Sequence, residues 1–218
     1  MMGEVSRVLT VGLCGGSGTG KNTAQAYFSL CGIPGLDTDL VYHTLIGADT
    51  PLTHELAEAF GARILTKDGS VDRKALSSIV LGEGEERARL RRELNRITHR
   101  AVLAECRDWL AKQRENGAFA AIINAPLLFE SGFHTECDLT VSVLAPREER
   151  IGRIMARDGI SRLCAERRID AQLDDQFLLT HTDYHIENNG TEADLQEKVG
   201  LLAAVIKNFS EGTKDGKH

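Results

Sequence analysis

The run Gly15-Gly16-Ser17-Gly18-Thr19-Gly20-Lys21 puts a lysine at the end of a glycine-rich turn, and these residue types at this spacing grip a phosphate chain. The full pattern is a glycine, four residues, Gly-Lys and a serine or threonine; Asn22 departs from it at the last position. Gly16, Gly18 and Gly20 let the backbone wrap an anion, and Asn22 to Phe28 can begin a helix whose free N–H groups and dipole attract it. Lys21 adds a positive charge toward the transferred group. Gly16, Gly18, Thr19, Gly20, Lys21, Asn22 and Thr23 are therefore the candidate ATP-binding set. A dinucleotide-binding turn uses similar glycines, but Gly-Lys at a helix start favours a nucleoside triphosphate over NAD. Mg²⁺ accompanies such a ligand. A hydroxyl normally meets it at position 22, where Asn22 offers an amide carbonyl and Thr23 stands one residue along.

Phosphoryl transfer needs alignment, charge neutralisation and an acceptor for the hydroxyl proton. Asp39, one of a close pair of carboxylates downstream of the loop, is a residue type that can accept a hydroxyl proton and is the candidate to orient an attacking hydroxyl. Asp37 is the alternate, and helix capping is the other use of such a pair. Arg153 and Arg157 are four apart, so they share a helix face and can close over a triphosphate; Arg168 is a weaker candidate. The bland reading of that face is a solvated one balanced by Glu148, Glu149 and Glu166.

The elements that must position these residues follow from hydropathy. Apolar runs at Val8 to Leu13, Ala118 to Ile123 and Leu139 to Leu144, with a weaker one at Tyr184 to Ile186, read as buried strands. Segments of helical spacing lie between them, so the fold class is α/β: a parallel sheet between helical layers. The longest helix candidate runs from about Glu85 to Glu115, with Leu90, Leu94, Ile97, Ala101 and Ala104 on one stripe. It closes a helical stretch too long for a normal crossover, which reads as an insertion over about 49–115. An arginine-rich stretch over about 146–176 reads as a lid, leaving a core of about 1–48, 116–145 and 177–208.

Across 218 residues, 42% are hydrophobic and 27% charged, which is globular composition for one domain with inserted parts. A net charge of -6 argues against sequence-independent binding to nucleic acid. The longest apolar runs fall far short of the roughly 20 residues of a membrane span, and Met1 to Arg7 lack the pattern of a secretory signal, so the expectation is a cytoplasmic chain. The five cysteines form no CxxC pair and read as reduced packing residues; Cys14, beside the loop, is the one placed to be reactive. The polar tail from Ser210 to His218 is expected to fray.

Beyond the loop, five further segments resemble the dephospho-coenzyme A kinase family in order and spacing. They are Gly32 to Asp39 with its Asp-x-Asp ending, Leu94 to His99, Pro126-Leu127-Leu128-Phe129-Glu130, Arg153 to Asp158 with Arg168 to Gln172, and Asp183 to Gly190. The resemblance implies a P-loop core with an inserted substrate-binding domain and a lid. It also implies transfer of the ATP γ-phosphate to the ribose 3′-hydroxyl of dephospho-CoA. It places Asp39 as base, His99 and Glu130 near the substrate, and Asn189 near the adenine. The chain departs from the family pattern at Asn22, at Arg100 in place of a proline, at Asn124 in place of an aspartate, and at Leu178 in place of a lysine. Two rival readings share the scaffold: a kinase for another nucleotide or small molecule, and a weakly active or non-catalytic protein that binds ATP or dephospho-CoA. Retention of Lys21, Asp39, Arg153 and Arg157 argues for catalysis.

Overall fold

The computed structural model describes residues 7–215, so the N-terminal signal reading falls largely outside the described residues, as do the last three residues of the tail. Five parallel strands form one sheet: β1 (Leu9–Cys14), β2 (Gly35–Asp37), β3 (Ala120–Asn124), β4 (Leu139–Leu144) and β5 (Tyr184–Glu187), in the order β2-β3-β1-β4-β5. Every residue of β1, β3 and β4 is buried, as their unbroken apolar runs require when helices cover both faces. β1 and β3 each end one residue later than the apolar runs alone suggest, because polar Cys14 and Asn124 still pair in the sheet.

Helix α1 (Lys21–Leu30) follows the loop and α9 (Glu192–Asp215) packs beside it. Phe28, Ile33, Val199 and Ile206 close that side of the core against Val11, Ile122 and Val141. α9 carries regular helix through Asp215, so the expected fraying at Ser210 gives way to packing: Ile206 and Ser210 are buried.

Two compact units divide the chain, Met1–Asp37 with Trp109–His218, and Thr38–Asp108. The second begins earlier than the insertion expected at about 49, and it includes Asp39. It contains α2 (Thr38–Leu45), α3 (Pro51–Phe60), α4 (Arg73–Val80) and most of α5 (Glu85–Glu115) around Leu52, Leu56, Ile64, Leu76 and Ile97. Thr50 caps α3 by accepting from the Thr53 N–H at 3.1 Å, with Pro51 at the first helical position, and Asp72 caps α4. Arg100 pairs with Glu55 on α3, which gives this residue a local structural role.

The stretch read as a lid resolves into α6 (Arg147–Asp158) and α7 (Arg162–Asp170), followed by α8 (Asp175–His181). Ile151, Ile154, Ala165 and Ile169 bury the α6–α7 seam. Ser161 caps α7 and Asp174 caps α8.

Candidate active site

The carboxyl ends of β1, β2 and β3 converge. Leu13 and Asp37 both pair in register with Asn124 on β3, which lies between β1 and β2, so the loop after β1, the end of β2 and Asn124 share one rim of the sheet. Lys21 opens α1 and is buried, and its ammonium donates to Asn124 Oδ1. Asn124 Nδ2 in turn donates to Asn22 Oδ1 at 3.0 Å and to Gln25, and Asn22 Nδ2 donates to Asp37 Oδ2 at 3.3 Å. A lysine, three amides and a carboxylate thus form one hydrogen-bonded floor beneath the loop.

Three side chains hold the loop from outside. Arg150 Nε donates to the Ser17 carbonyl at 3.0 Å, Arg153 Nη1 to the Gly18 carbonyl at 3.2 Å, and Asn188 Nδ2 to the Thr19 carbonyl at 2.8 Å. All peptides among the described residues are trans, so a carbonyl held on one side turns the next residue's N–H to the other. The N–H groups of Gly18, Thr19 and Gly20 are thereby set opposite these clamps; that of Thr19 closes a turn onto the Gly16 carbonyl at 3.3 Å. Gly20 has φ +92°, and a Cβ there would collide with Asn188 Nδ2, so both the turn and its clamp require glycine.

Arg153 also pairs with Glu149 at 2.7 Å and lies 3.5 Å from the Asn188 carbonyl, so α6 presents it to the loop. Arg157, one turn on, grips Asp158 at 2.7 and 2.9 Å and is exposed; Arg168 reaches the same carboxylate. The Arg157 fork, with help from Arg168, holds the Asp158 carboxyl down at about 2. Asn189 is exposed, with Nδ2 at 3.3 Å from Glu187 and Oδ1 accepting from Lys198 at 3.1 Å. Glu130 ends the Pro126 to Glu130 turn and lines a pocket with Gly15, Gly16 and Gln172. Phe129 anchors that turn, edge-on to Phe177 at 5.3 Å, which stacks on His181 at 3.9 Å. Leu178 is buried in α8 and lines the same pocket. Asp39 and His99 belong to the second unit, Asp39 in the first turn of α2 and His99 within α5.

Sequence reasoning passed over Arg150 and Gln172 as site residues, and read Asn188 only as part of a tight turn that the resemblance places near the adenine. Arg150 is 3% exposed, an extreme for an arginine, and Gln172 Oε1 accepts from the Ser17 N–H at 2.8 Å. Neither has a local spacing signal, since their partners lie 133 and 155 positions away. Cys14 is 1% exposed; burial pushes its thiol up to about 12 against the opposing pull of Lys21, so it is a packing residue rather than a nucleophile.

Among the described residues, no three His, Cys, Asp or Glu side chains gather around a metal position. Mg²⁺ in nucleotide sites asks for less, one or two carboxylates with water and substrate oxygens. Asp37, adjoining the loop, is a carboxylate that fits such an ion; Asn22 turns its Nδ2 toward Asp37, while its carbonyl accepts from Asn124.

A model of the dephospho-CoA kinase family matches residues 9–194. A dephospho-CoA kinase of Corynebacterium glutamicum is 34% identical over 91% of this chain and its own full length. That of Anaeromyxobacter dehalogenans is 36% identical over 90% of this chain and 92% of its own. Among solved structures, a Thermus thermophilus protein superposes with a TM-score of 0.77 at 28% identity, covering 91% of this chain and 98% of that one. The dephospho-CoA kinase of Campylobacter jejuni shares the fold, with a TM-score of 0.57 at 22% identity over 91% of this chain and 98% of its own.

Proposed function

This chain belongs to the dephospho-CoA kinase family of P-loop kinases, and from that premise we propose that it transfers the ATP γ-phosphate to the ribose 3′-hydroxyl of dephospho-CoA. The observation that carries this reading is the buried Lys21 ammonium on the sheet rim, beneath a loop whose successive carbonyls are held away from it.

In this account the N–H groups of Gly18 and Gly20 and the amino end of α1 bind the phosphates, and Lys21 neutralises charge between the β- and γ-phosphates. Arg153, already at the loop, adds charge as the γ-group moves, and Arg157 joins only by leaving Asp158. Asp39 accepts the proton of the attacking hydroxyl, with His99 and Glu130 contacting the acceptor and Asn189 the adenine edge. Asp37 would hold Mg²⁺, with Asn22 joining by turning its carbonyl away from Asn124, and the ion would supply charge neutralisation across the phosphates. The second unit binds the acceptor, and α6 with α7 serves as the lid.

Purified protein tests this directly through ADP release with dephospho-CoA, adenosine, AMP and pantetheine as separate acceptors. Turnover on dephospho-CoA at least about 10²-fold above every other acceptor is expected. Preference for another acceptor would move the chain to a different kinase specificity, and ATP binding without transfer to any would make it a binding protein.

A further inference from the structure

Arg150 has no part in the chemistry described so far, yet it is the most deeply buried charged side chain beside the loop. A guanidinium is costly to bury unless its donors are met. Here Nε donates to the Ser17 carbonyl at 3.0 Å, Nη1 to Asp175 Oδ1 at 3.0 Å on α8, and Nη2 lies 3.5 Å from Gln172 Oε1. The same Gln172 oxygen accepts from the Ser17 N–H. Both backbone polar groups of one loop residue are therefore tied, the N–H by Gln172 and the carbonyl by Arg150. Above Gly16 the guanidinium stands where a Cβ would be, so the loop and this side chain are built to each other.

We propose that Arg150 is a positioning residue for phosphate binding: by holding the Ser17 carbonyl outward it fixes the Gly18 N–H toward the ligand, with Asp175 and Gln172 locking its fork. Ser17 sits at the turn between two glycines, Gly16 and Gly18, where the backbone has least intrinsic preference. Without an external clamp the Ser17–Gly18 peptide is free to flip, which would turn a donor away from the phosphates. Asp175 matters because it keeps the cation in place from a different helix. The arrangement thus makes the loop's shape depend on α6 and α8 together. Burial lowers the Arg150 pKa and Asp175 opposes that shift, in keeping with a charge retained for its hydrogen-bond geometry.

This inference rests on the loop binding ATP, and the test separates the two. Wild type, Arg150→Met, Arg150→Lys and Asp175→Asn are compared for ATP affinity by calorimetry, for KM of ATP and of dephospho-CoA, and for Tm. Wild-type protein that fails to bind ATP overturns the loop reading itself. With wild-type binding intact, Arg150→Met is expected to raise the Kd and KM for ATP about tenfold, leaving the KM for dephospho-CoA within about twofold. Arg150→Lys keeps the charge without the fork and falls between. Asp175→Asn raises the ATP KM about threefold, and provides the test if Arg150→Met does not fold. ATP affinity within about twofold of wild type in every folded variant overturns the proposal, and so does an equal loss for both substrates.

Discussion

Asn188 Nδ2 donates to the Thr19 carbonyl at 2.8 Å across 169 positions of sequence, joining the end of β5 to the phosphate loop beneath it. Its neighbour Asn189 faces outward to Glu187 and Lys198. Two adjacent residues of one type therefore have different expected costs. Asn188→Ala strands a buried carbonyl and should destabilise the protein by about 1–3 kcal/mol while raising the ATP KM about tenfold. Asn189→Ala should change stability by less than about 0.5 kcal/mol. Thermal unfolding with and without ATP, together with ATP titrations, measures both.

The floor beneath the loop predicts a dependence on metal concentration. Asn124 accepts from Lys21 and donates to Asn22, so an amide sits where a charge would strengthen a divalent ion's hold. Asn124→Asp should lower the Mg²⁺ concentration for half-maximal nucleotide affinity severalfold, read by calorimetry at fixed ATP. Asn22→Ser should do the same for turnover. Unchanged Mg²⁺ dependence in both would show that neither amide is a handicap at the metal.

The two α6 arginines should separate kinetically. Arg153 reaches the Gly18 carbonyl, whereas Arg157 is engaged with exposed Asp158. Arg153→Met is expected to lower kcat about 10²-fold, and Arg157→Met to stay within about threefold. Equal losses would show that Arg157 leaves Asp158 and joins the phosphates during turnover.

How much of this was legible in the sequence depends on how local each signal is. β1, the loop and the start of α1 are contiguous, and β4 and α5 have the bounds that their apolar spacing indicates. β2 has three half-buried residues and no hydropathy signature, so it was visible only through the family's Asp-x-Asp segment. The loop's clamps were not legible, because the bonds of Arg150, Gln172 and Asn188 are made by the fold rather than by spacing. Arginine clustering in the 146–176 stretch drew attention to Arg153 and Arg157, but α6 turns Arg150 inward as well and leaves Arg157 exposed.

Cys14 carries a prediction for alkaline pH. Burial holds its folded thiol at about 12 against an ordinary value of 9.0, so between these values the unfolded chain loses the proton and the folded chain keeps it. The stability it contributes is complete below the unfolded value and is lost as pH rises toward the folded one, at a slope of up to about 1.4 kcal/mol per pH unit. Cys14→Ala should flatten the fall of Tm above pH ~9. The native thiol should react with iodoacetamide far more slowly at pH ~8 than the denatured one.

The most direct test of the central claim is a coupled ADP-release assay with ATP and dephospho-CoA, comparing wild type with Lys21→Ala and Asp39→Asn. Transfer by the wild type, with kcat lowered at least about 10³-fold by each substitution and ATP binding retained in Asp39→Asn, is the result this account predicts. Turnover abolished by neither change would contradict it.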